Sequence, residues 1–164
     1  YLNGAEALRS LRSKLEQVAE SEKCDIREAS FGLLRCAYAS DNDAEIQSYV
    51  ENALYQRRIS ESLKFRRAQS DDGYMVKEVP GPNDLTPDQI RANVPVGSVS
   101  RVVDRLLEEI SIVKPRHIAI QTQLGDFDQK TMLRQIELWG EKIIPEVRRH
   151  LGRGQSSKLA MAGA

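Results

Sequence analysis

Apolar residues recur at helical spacing in one stretch of the second half of the chain. They stand at i, i+3, i+4, i+7, i+8 and i+11, which places them on one face of a helix: Val99, Val102, Val103, Leu106, Leu107 and Ile110. The polar residues between them are predicted to face water: Arg101, Asp104, Arg105, Glu108 and Glu109. Ser98 can cap the start of this helix, and Pro115 ends it.

A short strand and a second helix are predicted to follow. The run from His117 to Gln123 contains Ile118 and Ile120 and then turns polar, which indicates a strand buried on both faces whose carboxyl end meets a ligand. The next helix is predicted to bury a face made of six residues: Met132, Leu133, Ile136, Trp139, Ile143 and Val147. Trp139 is interpreted as a core residue, and Pro145 is predicted to restart a short final helix.

The first half of the chain repeats this alternation of helix and strand. The first helix has an apolar face: Leu8, Leu11, Leu15, Val18 and Ala19. A strand is predicted from Glu28 to Tyr38, and a further helix starts near Asn42, with Glu45 at the spacing of a capping box, and runs toward Arg58. Alternating helices and strands with short turns indicate an α/β fold with a parallel sheet, either doubly wound or a barrel.

The pattern stops between residues 62 and 93. This segment has a basic cluster of Lys64, Arg66 and Arg67, and a Pro-Gly-Pro stretch that no helix or central strand accepts. Only Thr86-Pro-Asp-Gln89 indicates order, as a short helix with a capping box. A connection of this length is either a functional, mobile segment or a surface excursion without a role.

Composition excludes several classes of function. The 164 residues suit one domain, and 24 basic residues balance 24 acidic ones, so neither nucleic acid nor an anionic membrane is predicted as a partner. The chain has no span long enough for a bilayer and no signal-peptide pattern, which predicts a cytoplasmic protein. Cys24 and Cys36 are interpreted as free thiols, and His117 and His150 do not suggest a metal site.

Three short sequences carry a resemblance to a known family. They are Pro-Val-Gly-Ser at residues 95–98, Gln-Thr-Gln-Leu-Gly at 121–125, and Gln-Ile-Glu-Leu-Trp-Gly-Glu-Lys-Ile-Ile-Pro at 135–145. In this order and spacing they resemble the carboxyl-terminal end of luciferase-like flavin-dependent monooxygenases. Residues 38–45 resemble the penultimate strand of that barrel and the turn after it, so that the resemblance covers residues 5–150.

The resemblance implies an α/β fold: the C-terminal part of a TIM (β/α)8 barrel, helix-rich, with about two parallel strands in this chain. Residues 1–151 would form the barrel part, residues 63–93 a lid-like insertion, and residues 152–164 a flexible tail. Strands near 30–38 and near 117–123 are predicted to be parallel neighbours. Because a closed barrel needs eight strands, the N-terminal part of the barrel is expected as a partner, and uncovered apolar surfaces predict a homo-oligomer.

By the same resemblance, the complete protein would use reduced flavin mononucleotide (FMN), or a deazaflavin, and oxygen to oxygenate a small organic substrate. The implied cofactor-binding residues are Gln121, Gln123 and Ser98, and the implied substrate or lid residues are Tyr38, Lys64, Arg66 and Arg67. No catalytic residue and no metal ligand is assigned, and this chain alone is expected to lack a complete active site.

Each candidate residue has a simpler alternative. The glutamines and Ser98 can cap helices, and the basic cluster can be a solvated surface run. Arg35 can reach a pocket or, as favoured here, pair at the barrel wall. The competing function is a non-catalytic, helix-rich interaction or assembly module derived from a barrel fragment.

Overall fold

A computed structural model describes residues 2–26, 31–66, 69–72 and 74–152. Helices and short strands alternate in this part of the chain. In chain order they are α1 (Ala5–Ser21), β1 (Gly32–Cys36), β2 (Tyr38–Ala39), α2 (Asp43–Lys64), β3 (Gln69–Asp71), β4 (Tyr74–Lys77), α3 (Pro87–Asn93), β5 (Val96–Gly97), α4 (Val99–Val113), β6 (His117–Gln121) and α5 (Gln129–Leu138). None of the helices described combines the length and the apolar character needed to cross a bilayer.

Four short strands form two parallel pairs. β1 pairs in parallel with β6, with Leu34 opposite Ala119, which confirms the prediction that these strands are neighbours. β2 pairs in parallel with β5. The Ala37 amide donates to the Gln121 carbonyl, whereas the next amide, that of Tyr38, donates to the Pro95 carbonyl. Successive amides of a strand point to opposite sides, so β5 and β6 lie on opposite edges of the β1–β2 line.

Strands β1 and β2 follow each other in one line, which we call the strand line. It separates two apolar cores. Cys36 and Tyr38 belong to a cluster with Tyr49 and Val50 of α2. Ala37 and Ala39 belong to the other cluster, with α4 and the last helix. Alternation of side chains along a strand produces this division. The chain is therefore a mixed α/β, helix-rich structure with few parallel strands.

The amino-terminal half of the sheet is open on one face. Leu34 is 50% exposed, and His117 and Ala119 of β6 are exposed as well. The prediction that His117–Gln123 is buried on both faces is therefore wrong for this half. Helix α2 covers the same face only toward the carboxyl ends of the strands, where Cys36 is buried.

Helix α1 forms where the pattern predicts it, but most of its apolar face is uncovered. Leu8 is buried, whereas Leu11, Leu15 and Val18 are 51%, 38% and 59% exposed. Polar contacts attach this helix to α4: Arg9 pairs with Glu108, and Arg12 donates to the Val113 carbonyl. Periodicity thus identified an amphipathic helix without showing what covers it.

The last helix does not restart at Pro145. A π-helical segment, Trp139–Ile143, follows α5 directly, and helical structure continues over residues 144–152. Proline lacks an amide donor and clashes with the carbonyl four residues earlier, and a wider turn accommodates both. Trp139 is buried as predicted, but Leu133 and Ile136 are 51% and 63% exposed, and Gln135 is buried in their place.

The segment between residues 63 and 93 contains more structure than the sequence indicated. Helix α2 extends to Lys64 rather than ending near Arg58, and β3 and β4 form an antiparallel hairpin. Helix α3 has the predicted capping box between Thr86 and Gln89. Its Ile90 is completely buried, so this end of the segment is anchored in the core.

One buried ion pair joins the sheet to α4. Arg35 donates from Nε and a terminal nitrogen to the two carboxylate oxygens of Glu109, at 2.8 and 2.7 Å, and both side chains are almost fully buried. Its guanidinium also donates to the carbonyls of Asn3 and Asn93, each at 2.8 Å. Pairing of Arg35 is therefore confirmed. The prediction that Glu109 faces water is wrong, because it lies four residues before Val113 and three after Leu106 on the buried side.

Burial raises the pKa of Glu109, and the charge of Arg35 opposes that shift. Removing either partner therefore leaves the other side chain buried without its hydrogen-bond partner.

We expect Arg35→Met and Glu109→Met each to lower the free energy of unfolding by about 3–5 kcal/mol, and the double variant to lose much less than the sum. Urea denaturation of the four proteins in this cycle measures the coupling. The exposed pair Arg9 and Glu108, which joins α1 to the same helix, is the control and should couple by less than about 1 kcal/mol. Additive losses at Arg35 and Glu109 would contradict the assignment.

Candidate functional site

The carboxyl ends of β5, β2 and β6 meet at one edge of the sheet. All three strands are parallel, and β2 lies between the other two. Ser98 follows β5 directly, and Gln121 ends β6, so the structure brings these two predicted residues to either side of Tyr38. In parallel α/β proteins, this edge is where ligands bind.

Aromatic rings fill the space beside the end of β2. Tyr38 stacks on Tyr49, with ring centroids 4.9 Å apart, and on Phe127 at 5.3 Å. Tyr38 is fully buried in this stack. Burial raises the pKa of Tyr38, and the neighbouring Glu45 carboxylate raises it further. The phenol is therefore neutral at physiological pH, and in this arrangement Tyr38 packs inside the core.

Gln121 is half-buried beside α2. Its side chain lies 3.9 Å from the Cys36 sulfur and 3.5 Å from the side-chain oxygen of Gln56, and its carbonyl accepts a hydrogen bond from the Tyr49 hydroxyl at 2.5 Å. Burial raises the pKa of the Cys36 thiol to about 11, so this thiol is protonated at neutral pH and is not a nucleophile. These contacts hold α2 against β6.

Ser98 and Gln123 lie at the rim of the same edge. The Ser98 hydroxyl accepts a hydrogen bond from the Arg101 amide at 3.4 Å, which confirms the alternative that it caps α4. Gly97 before it has a φ of 131°, and a Cβ there would come within 2.8 Å of the Arg101 side chain, so the turn requires glycine. Gln123 is exposed. A cofactor role for either residue stays a prediction.

A polar cluster centred on Glu45 was not found from the sequence. Its carboxylate accepts hydrogen bonds from Arg134 at 2.6 Å, Ser40 at 2.8 Å and Tyr38 at 3.3 Å. The bond from Arg134 is the main reason that the pKa of Glu45 is lowered. The spacing of Asn42 and Glu45 predicted that Glu45 belongs to a capping box. Asn42 caps α2 by accepting from the Ala44 amide, whereas Glu45 joins α2, β2 and α5.

Gln135 completes the hydrogen bonding of β2. Its side chain accepts from the Ala39 amide at 3.1 Å and donates to the Ala39 carbonyl at 2.6 Å, and it is fully buried. The Ala39 amide points to the edge on which β6 has already ended. The side chain therefore takes the place of a further strand residue. Gln135 is the first residue of the third sequence that carries the family resemblance, but the sequence did not predict this contact.

Of the predicted substrate or lid residues, Tyr38 lies at this edge, whereas Lys64 and Arg66 do not. Lys64 ends α2, a helix of 22 residues that starts beside the strand ends, so it lies about 33 Å along the helix from that start. It is exposed, as is Arg66, which has a positive φ of 53°. Arg67 falls outside the described residues. Contact of these side chains with a substrate stays a prediction.

An open apolar groove lies on the other face of the sheet, and we call it the β6 groove. Its floor is Ile118 and Ile120 of β6, and its walls include Leu106 and Ile110 of α4 and Ile136 and Ile144 of the last helix. The groove has a volume of about 690 Å³. It is separated from the Tyr38 stack by the sheet, so it does not belong to the strand-end site.

Comparison with known proteins supports the fold. No family model matches the chain. The protein y4vJ of Sinorhizobium fredii, described as uncharacterized, is 58% identical over 154 residues, which cover 94% of this chain and 44% of that protein. The structure is similar to EDTA monooxygenase (EmoA) from Chelativorans sp. BNC1, with a TM-score of 0.53 and 15% identity over 92% of this chain and 41% of that one.

These figures have two consequences. The chain spans less than half the length of either protein. The structural similarity shows that the helix-rich α/β arrangement resembles part of the fold of EDTA monooxygenase.

The Glu45 cluster predicts an acid-sensitive contribution to stability. Because the folded pKa of Glu45 is lowered, its stabilisation is fully present above the unfolded value of 4.5 and is lost as the pH falls from there through the lower, folded pKa. Glu45→Gln should lower the free energy of unfolding by about 1 kcal/mol at pH 7, with a smaller difference from wild type below pH 4.5. Urea denaturation of both proteins across this pH range measures the difference in their free energies of unfolding. The control is Glu141→Gln at an exposed position, and a difference for Glu45→Gln that is independent of pH would contradict the assignment.

Proposed function

We propose that this chain forms part of a flavin-dependent monooxygenase that uses reduced flavin and oxygen to oxygenate a small organic substrate. The observation that carries this proposal is the similarity to EDTA monooxygenase over 92% of the chain. The convergence of three parallel strand ends at one edge supports it, because this is the edge at which α/β enzymes bind ligands. FMN is the proposed cofactor, and a deazaflavin is the alternative.

The described residues do not by themselves fit a flavin at this edge. The rings of Tyr38, Tyr49 and Phe127 occupy the position beside β2, and the half-buried Gln121 side chain already contacts Cys36 and Gln56. Ser98 and Gln123 are the predicted residues that remain at the rim. We therefore assign no catalytic step to this chain, and we propose that the remaining part of a longer barrel supplies most of the cofactor site.

The part that this chain plays in such a site is to close one side of it. Helix α2 is tied across the strand ends by Tyr49, which binds the Gln121 carbonyl, and by Asn52, which donates to the Leu124 carbonyl at 3.1 Å. A closed, aromatic wall excludes water, and oxygenation by a flavin depends on that exclusion. The chemistry of activating oxygen belongs to the flavin.

The competing function is a non-catalytic interaction or assembly module. Two observations favour it: the strand ends are filled by aromatic side chains, and an apolar groove is exposed on the opposite face. Both candidates predict a partner, but only the enzyme predicts a flavin.

Flavin binding separates the two candidates. We would replace the matched 154 residues of the Sinorhizobium protein by this chain, which gives a full-length chimera. The chimera should quench the fluorescence of FMN, or of a deazaflavin, with micromolar affinity, whereas this chain alone should not.

The unaltered Sinorhizobium protein is the control for the graft. Circular dichroism and thermal unfolding first establish that both proteins are folded. If both are folded and neither binds a flavin or a deazaflavin, the enzymatic proposal fails and the assembly module is favoured.

The β3–β4 hairpin is the part of the proposed lid that can move without disturbing the core. Gln69 pairs with Lys77, and the side chains described in the hairpin, those of Asp71, Asp72, Tyr74 and Lys77, are exposed, whereas Ile90 is buried in a core cluster. The hairpin continues from the end of α2 that is remote from the strand ends, so it must shift to cover a flavin.

We expect FMN to slow hydrogen exchange of the amides of residues 69–77 in the chimera, because a closing lid gains contacts only with the cofactor present. Residues 13–18 of α1, which are exposed, are the internal control. Unchanged exchange at residues 69–77 with FMN bound would show that the hairpin is a surface excursion.

A further inference from the structure

The Glu45 carboxylate uses only one of its two oxygens within the part of the chain that the structure describes. Arg134, Ser40 and Tyr38 all donate to Oε2, at 2.6, 2.8 and 3.3 Å, whereas no described residue donates to Oε1. The Glu45 side chain is 24% exposed, and Oε1 reaches solvent. Because each carboxylate oxygen has its own lone pairs, Oε1 is free to accept hydrogen bonds from a ligand.

Arg134 places donors beside this acceptor. It donates from Nη2 to Glu45 and is also hydrogen-bonded to the Tyr38 hydroxyl. A guanidinium has five N–H donors in one plane, so these two contacts do not use all of them, and the side chain is 48% exposed. An unused acceptor and unused donors therefore lie side by side, at the edge where ligands bind in parallel α/β proteins.

Buried groups hold this pair in place. Tyr38 is fully buried in its aromatic stack, and Ser40 follows β2 directly, so two of the donors to Glu45 are fixed at the end of the strand line. Arg134 precedes Gln135, whose buried side chain is bonded to the backbone of β2. Groups that are positioned before a ligand arrives lose little entropy when it binds.

The charges of the pair favour one class of ligand group. Glu45 repels an anion that approaches Arg134, and Arg134 repels a cation that approaches Glu45. An amide is neutral and carries an N–H donor beside a C=O acceptor, so it matches both members of the pair. A carboxylate lacks the donor, and an ammonium group lacks the acceptor. The partly buried ring of Phe127, stacked on Tyr38, adds an apolar surface next to the pair.

We propose that Glu45 and Arg134 bind the amide group of a small organic ligand whose apolar part lies against Phe127. Oε1 of Glu45 accepts from the amide N–H, and the Arg134 guanidinium donates to the amide carbonyl. The inference names a substrate class for the strand-end edge. It rests on the proposal that this edge belongs to the site at which a small organic substrate is oxygenated.

Three probes of similar size and different charge test this proposal: benzamide, benzoate and benzylammonium. Each is titrated into the nitrogen-15-labelled chain without any flavin, and NMR shifts of the amides of residues 38–46 and 127–135 report binding. We expect benzamide to bind in roughly the millimolar range, as suits a ligand of this size. Benzoate and benzylammonium should bind at least severalfold more weakly.

Two substitutions should change the preferred probe and not only the affinity. Glu45→Gln leaves Arg134 uncompensated and should make benzoate the tightest ligand. Arg134→Gln leaves the Glu45 carboxylate uncompensated and should make benzylammonium the tightest. Glu141→Gln and Arg148→Gln are the matched controls, because they remove the same charges at exposed positions outside the cluster. They should keep the wild-type order. A role in stability alone would not exchange the order of the probes.

Three results would overturn the proposal. The first is a folded wild-type chain that binds benzoate or benzylammonium as tightly as benzamide, or that binds no benzamide near its limit of solubility. The second is a set of benzamide shifts outside residues 38–46 and 127–135. The third is an order of probes that Glu45→Gln and Arg134→Gln both leave unchanged.

Circular dichroism first establishes that each variant is folded. If one variant unfolds, the wild-type order and the other variant still decide. Because the titration contains no flavin, it can fail where the chimera binds FMN, and it can succeed where the chimera does not.

Discussion

The contact between Arg35 and Glu109 is the constraint on which the arrangement of the chain depends. A buried guanidinium is stable only when its donors are satisfied, and here a carboxylate and two backbone carbonyls from separate segments satisfy them. One of these segments begins the chain before α1, and another leads from α3 into β5. The pair therefore fixes α4 against the sheet and also directs residues 93–97 along the edge opposite β6.

The strand ends depend on that placement. With β5 and β6 on either side, β2 has strand partners on both edges for only a few residues. Side chains form the backbone hydrogen bonds that these short strands leave open. Gln135 supplies the hydrogen bonds on the β6 side. Glu45, on α2, accepts hydrogen bonds from Ser40 just after β2 and from Arg134 of α5, and so links these three elements. The edge that would face a cofactor is thus built by aromatic rings and by polar side chains from helices, which give it a defined shape.

Local signals in the sequence predicted the elements that depend on local physics. The stripe of α4, the capping box of α3 and the neighbouring parallel strands all follow from spacing and caps. Burial was predicted less well, because an apolar stripe does not indicate which polar flank turns inward. Glu109 and Gln135 are both buried, and the sequence analysis missed them for that reason.

Other features had no adequate sequence signal. β5 has two residues, too few for periodicity, and its place opposite β6 is decided by the Asn93 carbonyl bound to Arg35. The uncovered faces of α1 and α5 look in sequence like any core-facing helix. What covers such a face lies outside the pattern itself.

The π-helical segment has a consequence for the outer surface of the last helix. The inward-facing residues repeat every four positions: Gln135, Trp139 and Ile143 are buried, and Val147 is half-buried. In a regular α-helix each such step over-rotates by about 40°. A wider turn in the middle takes part of that rotation back, so that the inner row stays over the strands. The outer row at 136, 140, 144 and 148 has the same four-residue repeat, and it is straightened equally. The wall that the last helix presents is thus a straight ridge, interrupted at Gly140 by a notch where another backbone could come close.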